Sequence, residues 1–503
     1  MQRVNQLQKG KNAGLLLWRG CKIRRHGYRA YNADAGFGQT EKECKGICRK
    51  KKYLKWYNKL GYGSGDWAAN MVYALLTSFV LIYLTDTVGL NAGIVGTLMM
   101  FSKFADGVTD VFFGSLIDKT KSKMGKARPW MLWSYIGNTV CLIAIFAIPS
   151  SWGDTAKYAY FFIAYTLLNA VFYTANNIAY ASLTALITKN NNERVQMGSI
   201  RFMFSLATNL VVASITIKAV ASMGGGAAGW RNVAIVYGLI GLVVNTISVL
   251  SVKEVPDEEE KVQTSAEKGG EDKLSLWESA KLLFANKYYL IIVAVYVLTY
   301  IQTGIAGIGI YYMTYVLGNP ALLGTFSAAQ MFPMIIGLAF TPWLVKKAKG
   351  MYKVNLFGYC IAFFMRIGFI VGGMMGNIPM MLCFSVLAGL CVSPLTGDLN
   401  ALIAATSDYT YRTKGKRIDG TMYSCSSLGI KIGSGIGTAL TGWLLAAGGY
   451  IANAEIQPQS CINMLNFLYL WFPFIMVIIM IILLYSLKVE KANEDWDAEH
   501  GKQ

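Results

Sequence analysis

The stretch FSKFADGVTDVFFGSLIDKTKSKMGKARPW, residues 101–130, begins as an apolar segment and ends in a cluster of positive charge. Its apolar part carries two acids, Asp106 and Asp110, which are four residues apart. On a helix, side chains at this spacing project from one face, about one turn from each other. Ionised carboxylates inside a bilayer are costly, and those that occur usually face an aqueous cavity or a partner charge. The pair therefore predicts a functional site inside the membrane, which faces either an aqueous cavity or a bound cation.

The composition is that of a membrane protein with many spans. The chain has 503 residues, of which 54% are hydrophobic and 15% are charged, whereas soluble chains carry about 25% charged residues. Apolar runs of about 20 residues recur along the sequence, and this is the length that an α-helix needs to cross a bilayer. We predict an all-α membrane protein with twelve transmembrane helices, at 67–86, 91–117, 129–149, 157–187, 200–221, 231–252, 287–317, 321–345, 354–374, 379–405, 420–448 and 463–487.

Charges in the loops predict the orientation of these helices. The loops after the second, eighth and tenth predicted helices are basic, whereas those at 85–93, 318–324 and 372–379 contain no Lys or Arg. Positively charged loops tend to stay on the cytoplasmic side of the membrane. We therefore expect a multi-pass protein of the cell membrane with both termini in the cytoplasm.

Residues 1–60 form a basic arm. They contain 16 Lys and Arg residues against three acids, so this arm holds 13 of the 19 excess positive charges of the chain. Basic segments beside a membrane contact anionic lipid headgroups or mark the cytoplasmic side, and no nucleic-acid-binding motif accompanies this one. We expect a poorly ordered cytoplasmic arm that contacts the lipid bilayer, and no nucleic-acid partner.

A hydrophilic interruption at 253–286 divides the predicted helices into two sets of six. Its acidic segment, DEEEKVQTSAEKGGEDK, is too polar to form a core and is typical of a flexible cytoplasmic linker. A basic loop follows the second helix of each set, which indicates two related halves. We predict helical bundles at 61–252 and 287–488, a cytoplasmic tail at 489–503, and a monomer. This pattern fits the major-facilitator fold, whose binding site lies between the halves at mid-membrane.

The sequence lacks the residue sets that enzymes use inside a membrane. Its only histidines, His26 and His500, lie outside the predicted helices, and Cys44 and Cys48 have no second Cys or His pair that would complete a zinc site. An active site needs a nucleophile with its base, or a metal constellation. We therefore expect no catalytic residue, no resident metal and no cofactor.

Further charged residues in the predicted helices each have a structural alternative to a functional role. Lys431 lies among small residues in SSLGIKIGSGIGTAL, too deep to reach water, so it needs a cavity or a carboxylate such as Asp106 or Asp110. Lys103 precedes Asp106 by three residues and is open to a structural salt bridge. Asp66, near the start of the first predicted helix, is open to an interfacial position.

Other polar residues leave two interpretations open. Arg366 and Asp398 are able to pair with each other or with backbone carbonyls, and neither is assigned a function. The fourth predicted helix is rich in polar side chains, which either line a wet cavity or form hydrogen bonds between helices. These side chains are Asn169, Tyr173, Thr174, Asn176 and Asn177.

Two segments carry a resemblance to a known family. One is YLTDTVGLNAGIVGTLMMFSKFADGVTDVFFGSLIDKTKSKMGKARPW, residues 83–130, and the other is SDYTYRTKGKRIDGTMYS, residues 407–424. In these segments the chain resembles the glycoside–pentoside–hexuronide:cation symporters, a branch of the major facilitator superfamily that includes the melibiose carrier. The resemblance covers about residues 58–488.

The resemblance implies a role for each matching position. It implies that two carboxylates and a hydroxyl bind the co-transported Na⁺, Li⁺ or H⁺, that two lysines couple this site to the sugar, and that four polar residues bind the sugar. The cation residues are Asp106, Asp110 and Thr174, the coupling residues are Lys431 and Lys103, and the sugar residues are Asp66, Tyr173, Asn177 and Arg201.

The chain also departs from the pattern of the melibiose-type carriers. Asn177 stands where they have a sugar-binding aspartate, Ala181 replaces a nearby aromatic residue, and no tryptophan occupies the expected position in the tenth helix. Thr109 replaces an asparagine between the two aspartates. The first three differences bear on the identity of the sugar, and the fourth bears on the cation.

The resemblance implies cation-coupled import of a glycoside, pentoside or hexuronide by alternating access. The alternative is an exporter, or a carrier of a lipid-like or other small solute, on the same fold. A predominantly apolar central cavity favours that alternative, whereas paired aspartates and a polar fourth helix favour sugar symport.

Overall fold

Long helices follow the apolar runs of the sequence, and several begin at a residue that caps them. The computed structural model describes residues 53–188, 191–254, 283, 285–415 and 419–500. The side chains of Asn91, Asn286 and Asn377 each accept a hydrogen bond from an N–H group in the first turn of the helix that follows. These bonds satisfy donors that a helix leaves unpaired at its N-terminus, and so help to fix where the second, seventh and tenth helices begin.

Twelve long helices occupy the described residues, and two of the first six contain a π-helical segment. The first six are α1 (Trp56–Ile82, then π-helical Tyr83–Thr87), α2 (Ala92–Lys119), α3 (Arg128–Ile145), α4 (Asp154–Thr166, π-helical Leu167–Tyr173, then Thr174–Ile187), α5 (Asn191–Ser222) and α6 (Gly226–Ser251).

The second six helices follow the predicted linker, and a short helix comes after them. They are α7 (Lys287–Gly304, the 3₁₀ turn Ile305–Gly307, Ile308–Tyr311, then π-helical Tyr312–Val316), α8 (Leu322–Ala348), α9 (Met351–Met374), α10 (Ile378–Lys414), α11 (Asp419–Ala447), α12 (Gln459–Asn466, π-helical Phe467–Trp471, then Phe472–Ser486) and the short α13 (Val489–Glu499).

All twelve helices lie where the sequence predicts them, but their ends differ. Helix α1 begins at Trp56 rather than at residue 67, and α10 ends at Lys414 rather than at residue 405. Apolar runs mark the hydrocarbon layer, whereas the helical hydrogen bonds continue beyond it. Ten of the described helices are long and apolar enough to cross a membrane. The other two are α2, which carries Lys103 and the two aspartates, and α3, which begins with Arg128.

In the part of the chain that the structure describes, the helices pack as two bundles that meet mainly along three pairs of helices. In the first bundle α1 packs on α5 and α6, and α3 packs on α6. In the second bundle α10 packs on α8 and α9, and α7 packs on α11. The bundles contact each other through α2 with α11, α5 with α8, and α1 with α7. This arrangement confirms the predicted fold of two six-helix bundles.

Small residues let the bundles approach closely at these contacts. A Cβ atom on Gly442 of α11 would lie 3.0 Å from the Cα atom of Gly96 on α2. A Cβ atom on Gly324 of α8 would lie 2.6 Å from the Cα atom of Ser214 on α5. Larger side chains would separate the helices, so glycine is required where the backbones of the two bundles touch.

The two halves repeat one local structure at corresponding places. Glu254, just after α6, accepts hydrogen bonds of 2.7–3.1 Å from three successive N–H groups of residues 126–128, at the start of α3. Glu490, just after the end of α12, accepts bonds of 3.0 and 2.7 Å from the N–H groups of Met351 and Tyr352, at the start of α9. A carboxylate at a helix N-terminus is favoured by the helix dipole. The shared arrangement supports the internal repeat inferred from the basic loops.

Several predictions concern segments outside the described residues. These are residues 1–52 of the basic arm, residues 255–282 and 284 of the linker, residues 416–418 in the loop before α11, and residues 501–503 of the tail.

Candidate functional site

The first of the two aspartates of α2 meets a hydroxyl group of α4. Asp106 is 7% exposed, and its Oδ1 atom accepts a hydrogen bond from the hydroxyl of Thr174. Thr174 directly follows the π-helical segment of α4, in which the backbone is wound wider than in an α-helix. Such segments often occur at functional sites. The structure thus brings Thr174 to Asp106, two of the three residues predicted to bind the cation, and the third, Asp110, lies one turn further along α2.

Lys431 reaches these carboxylates from the other bundle. Its Nζ atom lies 3.2 Å from Asp106 Oδ1 and 2.5 Å from Asp110 Oδ2, and it donates a 2.8 Å hydrogen bond to the backbone carbonyl of Asp106. The side chains of Lys431, Asp106 and Asp110 are 15%, 10% and 26% exposed. An ammonium group has three protons, and three acceptors surround this one. The pairing of Lys431 with the aspartates agrees with the partners that its depth predicts.

Lys103 does not form the salt bridge that its spacing allowed. Its Nζ atom donates a 3.2 Å hydrogen bond to Asn169 Oδ1 and lies 5.4 Å from the centre of the Tyr73 ring. Among the described residues, the ion-pair partner of Asp106 is Lys431, not Lys103. The structural alternative for Lys103, a salt bridge to Asp106, is therefore wrong. The sequence placed Asn169 among the polar residues of the fourth helix but assigned it no partner.

Asp66 and Arg201, both predicted to bind sugar, form a two-point ion pair. Arg201 Nε lies 2.6 Å from Asp66 Oδ2, and its Nη2 atom lies 3.3 Å from Asp66 Oδ1. The guanidinium carbon also lies 4.0 Å from the centre of the Tyr180 ring. The Asp66 side chain is 13% exposed. Asp66 therefore has a partner inside the first bundle, on α5, and its interfacial position stays a prediction.

Tyr173 lies between the two groups of charged residues. Its ring stacks on that of Tyr73 from α1, with centroids 6.0 Å apart and planes at 23°. The Lys103 ammonium group lies over the same Tyr73 ring, and Tyr173 directly precedes Thr174, which donates a hydrogen bond to Asp106. Tyr73 itself follows Asp66 by seven residues on α1, so the two share a helix face. Sequence reasoning missed Tyr73, since a lone tyrosine in an apolar helix has no distinctive spacing.

Asn177 is exposed and follows Thr174 by three residues. This spacing puts both side chains on one face of α4, which is the face that approaches Asp106.

Arg366 and Asp398 do not pair with each other. Instead, Asp398 Oδ2 accepts a 3.2 Å hydrogen bond from Asn355 Nδ2, and the Arg366 guanidinium lies 5.6 Å from the Phe369 ring centre.

Hydrogen bonds between the bundles close the end of the interface that carries the loop at 85–93. Asp86 belongs to the π-helical end of α1. Its Oδ2 atom accepts a 2.6 Å hydrogen bond from the hydroxyl of Tyr315 on α7. Its Oδ1 atom accepts one from the hydroxyl of Tyr450, and its backbone carbonyl accepts one from Asn453, both just after α11. The carboxylate of Asp86 thus holds two tyrosines of the other bundle, and its backbone carbonyl holds an asparagine, far from the basic loops.

The chain is similar to known transport proteins over most of its length. It is 29% identical over 464 residues to the isoprimeverose transporter of Lactiplantibacillus pentosus, covering 90% of this chain and 94% of that relative. It is 29% identical over 442 residues to the putative glycoside/cation symporter YagG of Escherichia coli K12, covering 87% of this chain and 92% of that relative.

A solved structure shares the fold at much lower identity. A bacterial homologue of the human lysosomal transporter Spinster, in an inward-facing and unoccupied conformation, superposes with a TM-score of 0.64 at 14% identity. The match covers 88% of this chain and 99% of that one. At this identity the likeness concerns the fold alone.

The sequence of most of the chain matches the model of one protein family. The model described as MFS/sugar transport protein matches residues 61–491, from the first helix to the short helix after the twelfth. This match and the relatives confirm the resemblance to the glycoside–pentoside–hexuronide:cation symporters. The chain therefore belongs to the MFS/sugar transport protein family, and it is a multi-pass membrane transporter rather than an enzyme.

Proposed function

We propose that this protein is a cation-coupled sugar symporter that imports its sugar across the cell membrane by alternating access. The observation that carries the proposal is the contact of Lys431 with Asp106 and Asp110, which joins the two bundles through opposite charges. A cation that enters this site changes an interaction on which the relative position of the bundles depends. Binding of the ion and movement of the bundles are then linked.

The ammonium group of Lys431 occupies the place where a cation would be coordinated. Na⁺ and Li⁺ are hard ions that prefer oxygen ligands, as Ca²⁺ and Mg²⁺ do. Asp106 and Asp110 supply carboxylate oxygens and Thr174 supplies a hydroxyl oxygen. In the proposed mechanism the ion takes these oxygens and displaces the ammonium group. A proton on one carboxylate would weaken the same ion pair by removing its negative charge.

The sugar in this proposal binds beside Tyr173, next to the ion pair of Asp66 and Arg201. A charged pair with exposed edges offers hydrogen-bond acceptors and donors to sugar hydroxyls, and such charge-assisted bonds are strong. Asn177 adds an amide that both donates and accepts hydrogen bonds. The similarity to the isoprimeverose transporter supports a glycoside or pentoside as the sugar.

Coupling of the two ligands follows from their shared effect on the bundles. If the ion raises the affinity for sugar by some factor, the sugar must raise the affinity for the ion by the same factor. Opening of the protein on the side of the 85–93 loop then requires the hydrogen bonds of Asp86 to break, because these bonds hold the two bundles together at that end of the interface. An inward cation gradient drives such a symporter in the direction of import.

The orientation and the oligomeric state belong to the same proposal. Basic loops after α2 and α8 support cytoplasmic termini. Both candidate sites are built from one chain, so the proposed active form is a monomer. The alternative, a carrier of lipid-like solutes, is disfavoured because charged pairs and amides flank the interface between the bundles.

Uptake into proteoliposomes tests the proposal. Purified protein is reconstituted, and a panel of labelled pentosides, galactosides and glucuronides that includes isoprimeverose is offered under an imposed gradient of Na⁺, Li⁺ or H⁺. We expect one sugar class to accumulate above its external concentration with one cation, and accumulation to stop when an ionophore collapses the gradient. Accumulation of sugar that depends on none of the three cation gradients would contradict symport. Efflux of sugar against its own concentration gradient would favour the exporter.

A further inference from the structure

Lys103 is a buried cation whose position needs an explanation. The residue is 7% exposed and lies three residues before Asp106 on α2, so both side chains share one helix face. An ammonium group in this position would be drawn to the carboxylate. Instead, its Nζ atom is hydrogen-bonded to Asn169 Oδ1, at 3.2 Å. Something therefore holds Lys103 away from the cation site.

The orientation of the Asn169 amide is fixed by its two partners. Its Nδ2 atom donates a 2.9 Å hydrogen bond to the backbone carbonyl of Tyr165, one turn earlier in α4. A carbonyl only accepts and an ammonium group only donates, so the amide oxygen must face Lys103 and the nitrogen must face Tyr165. Asn169 is itself 2% exposed, which leaves this amide little freedom to turn.

The backbone of Asn169 contacts the other neighbour of Asp106. In the π-helical segment its carbonyl accepts a bond from the N–H group of Thr174, and the hydroxyl of Thr174 also lies 2.9 Å from this carbonyl. The same hydroxyl is hydrogen-bonded to Asp106. A hydroxyl has one proton, which serves one acceptor at a time. When the hydroxyl oxygen coordinates a cation next to Asp106, the proton still has an acceptor in Asn169.

We propose that Asn169 is a positioning residue of the cation site, which holds the ammonium group of Lys103 off Asp106 and gives the Thr174 hydroxyl a second acceptor. The inference rests on the proposed cation site and deepens it. Without Asn169, Lys103 would turn to Asp106 and compete with the transported ion for the carboxylate. The side chain of Asn169 would act through Lys103 and its backbone carbonyl through Thr174, and neither would touch the ion itself. Substitutions of Asn169 therefore test the action through Lys103.

The apparent cation affinity of purified full-length variants tests this proposal. The melting temperature is followed by tryptophan fluorescence while NaCl or LiCl replaces choline chloride at constant ionic strength, and separately while the pH is varied. We expect Asn169→Leu to weaken the affinity for the stabilising cation by about tenfold or more, since a unit charge a few ångströms from the carboxylate opposes a second cation. We expect Asn169→Asp, which still pairs with Lys103 and adds a negative charge, to bind the cation at least as tightly as the unmodified protein.

A double variant separates this role from a general loss of stability. In a Lys103→Gln background there is no ammonium group to release. We therefore expect Asn169→Leu to change the cation affinity much less in this background than in the protein with Lys103. Asn209→Leu is the matched control, because Asn209 Nδ2 also donates to the carbonyl one turn earlier but contacts Asn70 rather than a charge. Should Asn169→Leu fail to fold, Asn169→Ser, whose side chain is shorter, replaces it.

The outcomes distinguish a failure of the role proposed for Asn169 from a failure of the cation site itself. An unchanged cation affinity in Asn169→Leu, or an equal loss with and without Lys103, would overturn the role of Asn169 while leaving the cation site in place. A protein whose melting temperature responds to none of Na⁺, Li⁺ and pH would overturn the cation site, and with it the role of Asn169.

Discussion

The ammonium group of Lys431 on α11 lies 2.5 Å from the Asp110 carboxylate on α2, across the contact between the two bundles. Buried charges are costly unless they are paired, and breaking such a pair leaves an uncompensated charge. The two bundles thus carry complementary halves of one electrostatic site. A transported cation acts on this site because it offers the carboxylates a different positive partner.

Removing the positive charge of Lys431 should separate cation binding from coupling. We expect Lys431→Gln to bind its cation more tightly than the unmodified protein, because the ion no longer has to displace an ammonium group. We also expect the dependence of sugar affinity on the cation to fall, because the ion no longer changes an interaction between the bundles. Titration of the melting temperature with the cation, and sugar binding with and without it, measure the two effects. Weaker cation binding in this variant would contradict displacement.

Replacing Arg201 by lysine should affect the sugar and not the cation. The arginine makes two bonds to Asp66, at 2.6 and 3.3 Å. Lysine keeps the charge but lacks the planar fork, so we expect the affinity for sugar to fall about tenfold or more. Cation-dependent stabilisation should stay unchanged. Arg194→Lys, on the same helix and bonded through its Nε atom to a backbone carbonyl, is the matched control. An equal loss of cation affinity in Arg201→Lys would contradict the assignment of Arg201 to the sugar site.

Replacing Asp86 by alanine should weaken the closed end of the interface. The variant loses the acceptor for the hydroxyls of Tyr315 and Tyr450. The reporter is a cysteine introduced as Ala181→Cys in a protein without other cysteines, because Ala181 is exposed and follows Asn177 by four residues on the same face of α4. We expect this cysteine to react several-fold faster in Asp86→Ala than in the protein with Asp86, when a membrane-impermeant maleimide is added on the side of the 85–93 loop. Asp154→Ala is the control, because Asp154 is an exposed acid whose described ion pair is to Lys157 within the same helix. Equal labelling in both variants would show that Asp86 does not hold the bundles closed.

The sequence predicted the elements of the fold better than their interactions. Apolar runs located all twelve helices, because hydrophobic length is a local property of the chain. The spacing of Asp106 and Asp110 and the depth of Lys431 predicted a charged site, since each charge in a bilayer requires a partner. The resemblance, not the spacing, added Thr174, which lies 68 positions from Asp106 in the sequence.

Other features depend on geometry that no local pattern shows. The π-helical turn of α4 brings the Asn169 carbonyl to Thr174, and the amide of Asn169 turns Lys103 away from Asp106. A spacing rule for regular helices predicts a salt bridge there instead. The bonds of Asp86 join residues 229 and 364 positions apart, and their tyrosines look like ordinary interfacial residues in the sequence.

Sugar accumulation by the two aspartate variants tests the central claim most directly. Proteoliposomes that contain the unmodified protein, Asp106→Asn or Asp110→Asn are given the cation gradient and the sugar that support uptake. We expect both variants to fail to concentrate sugar above the external level, while they still exchange or equilibrate it because the sugar residues are intact. Accumulation by either variant to the level reached by the unmodified protein would contradict the assignment of these carboxylates to the driving cation.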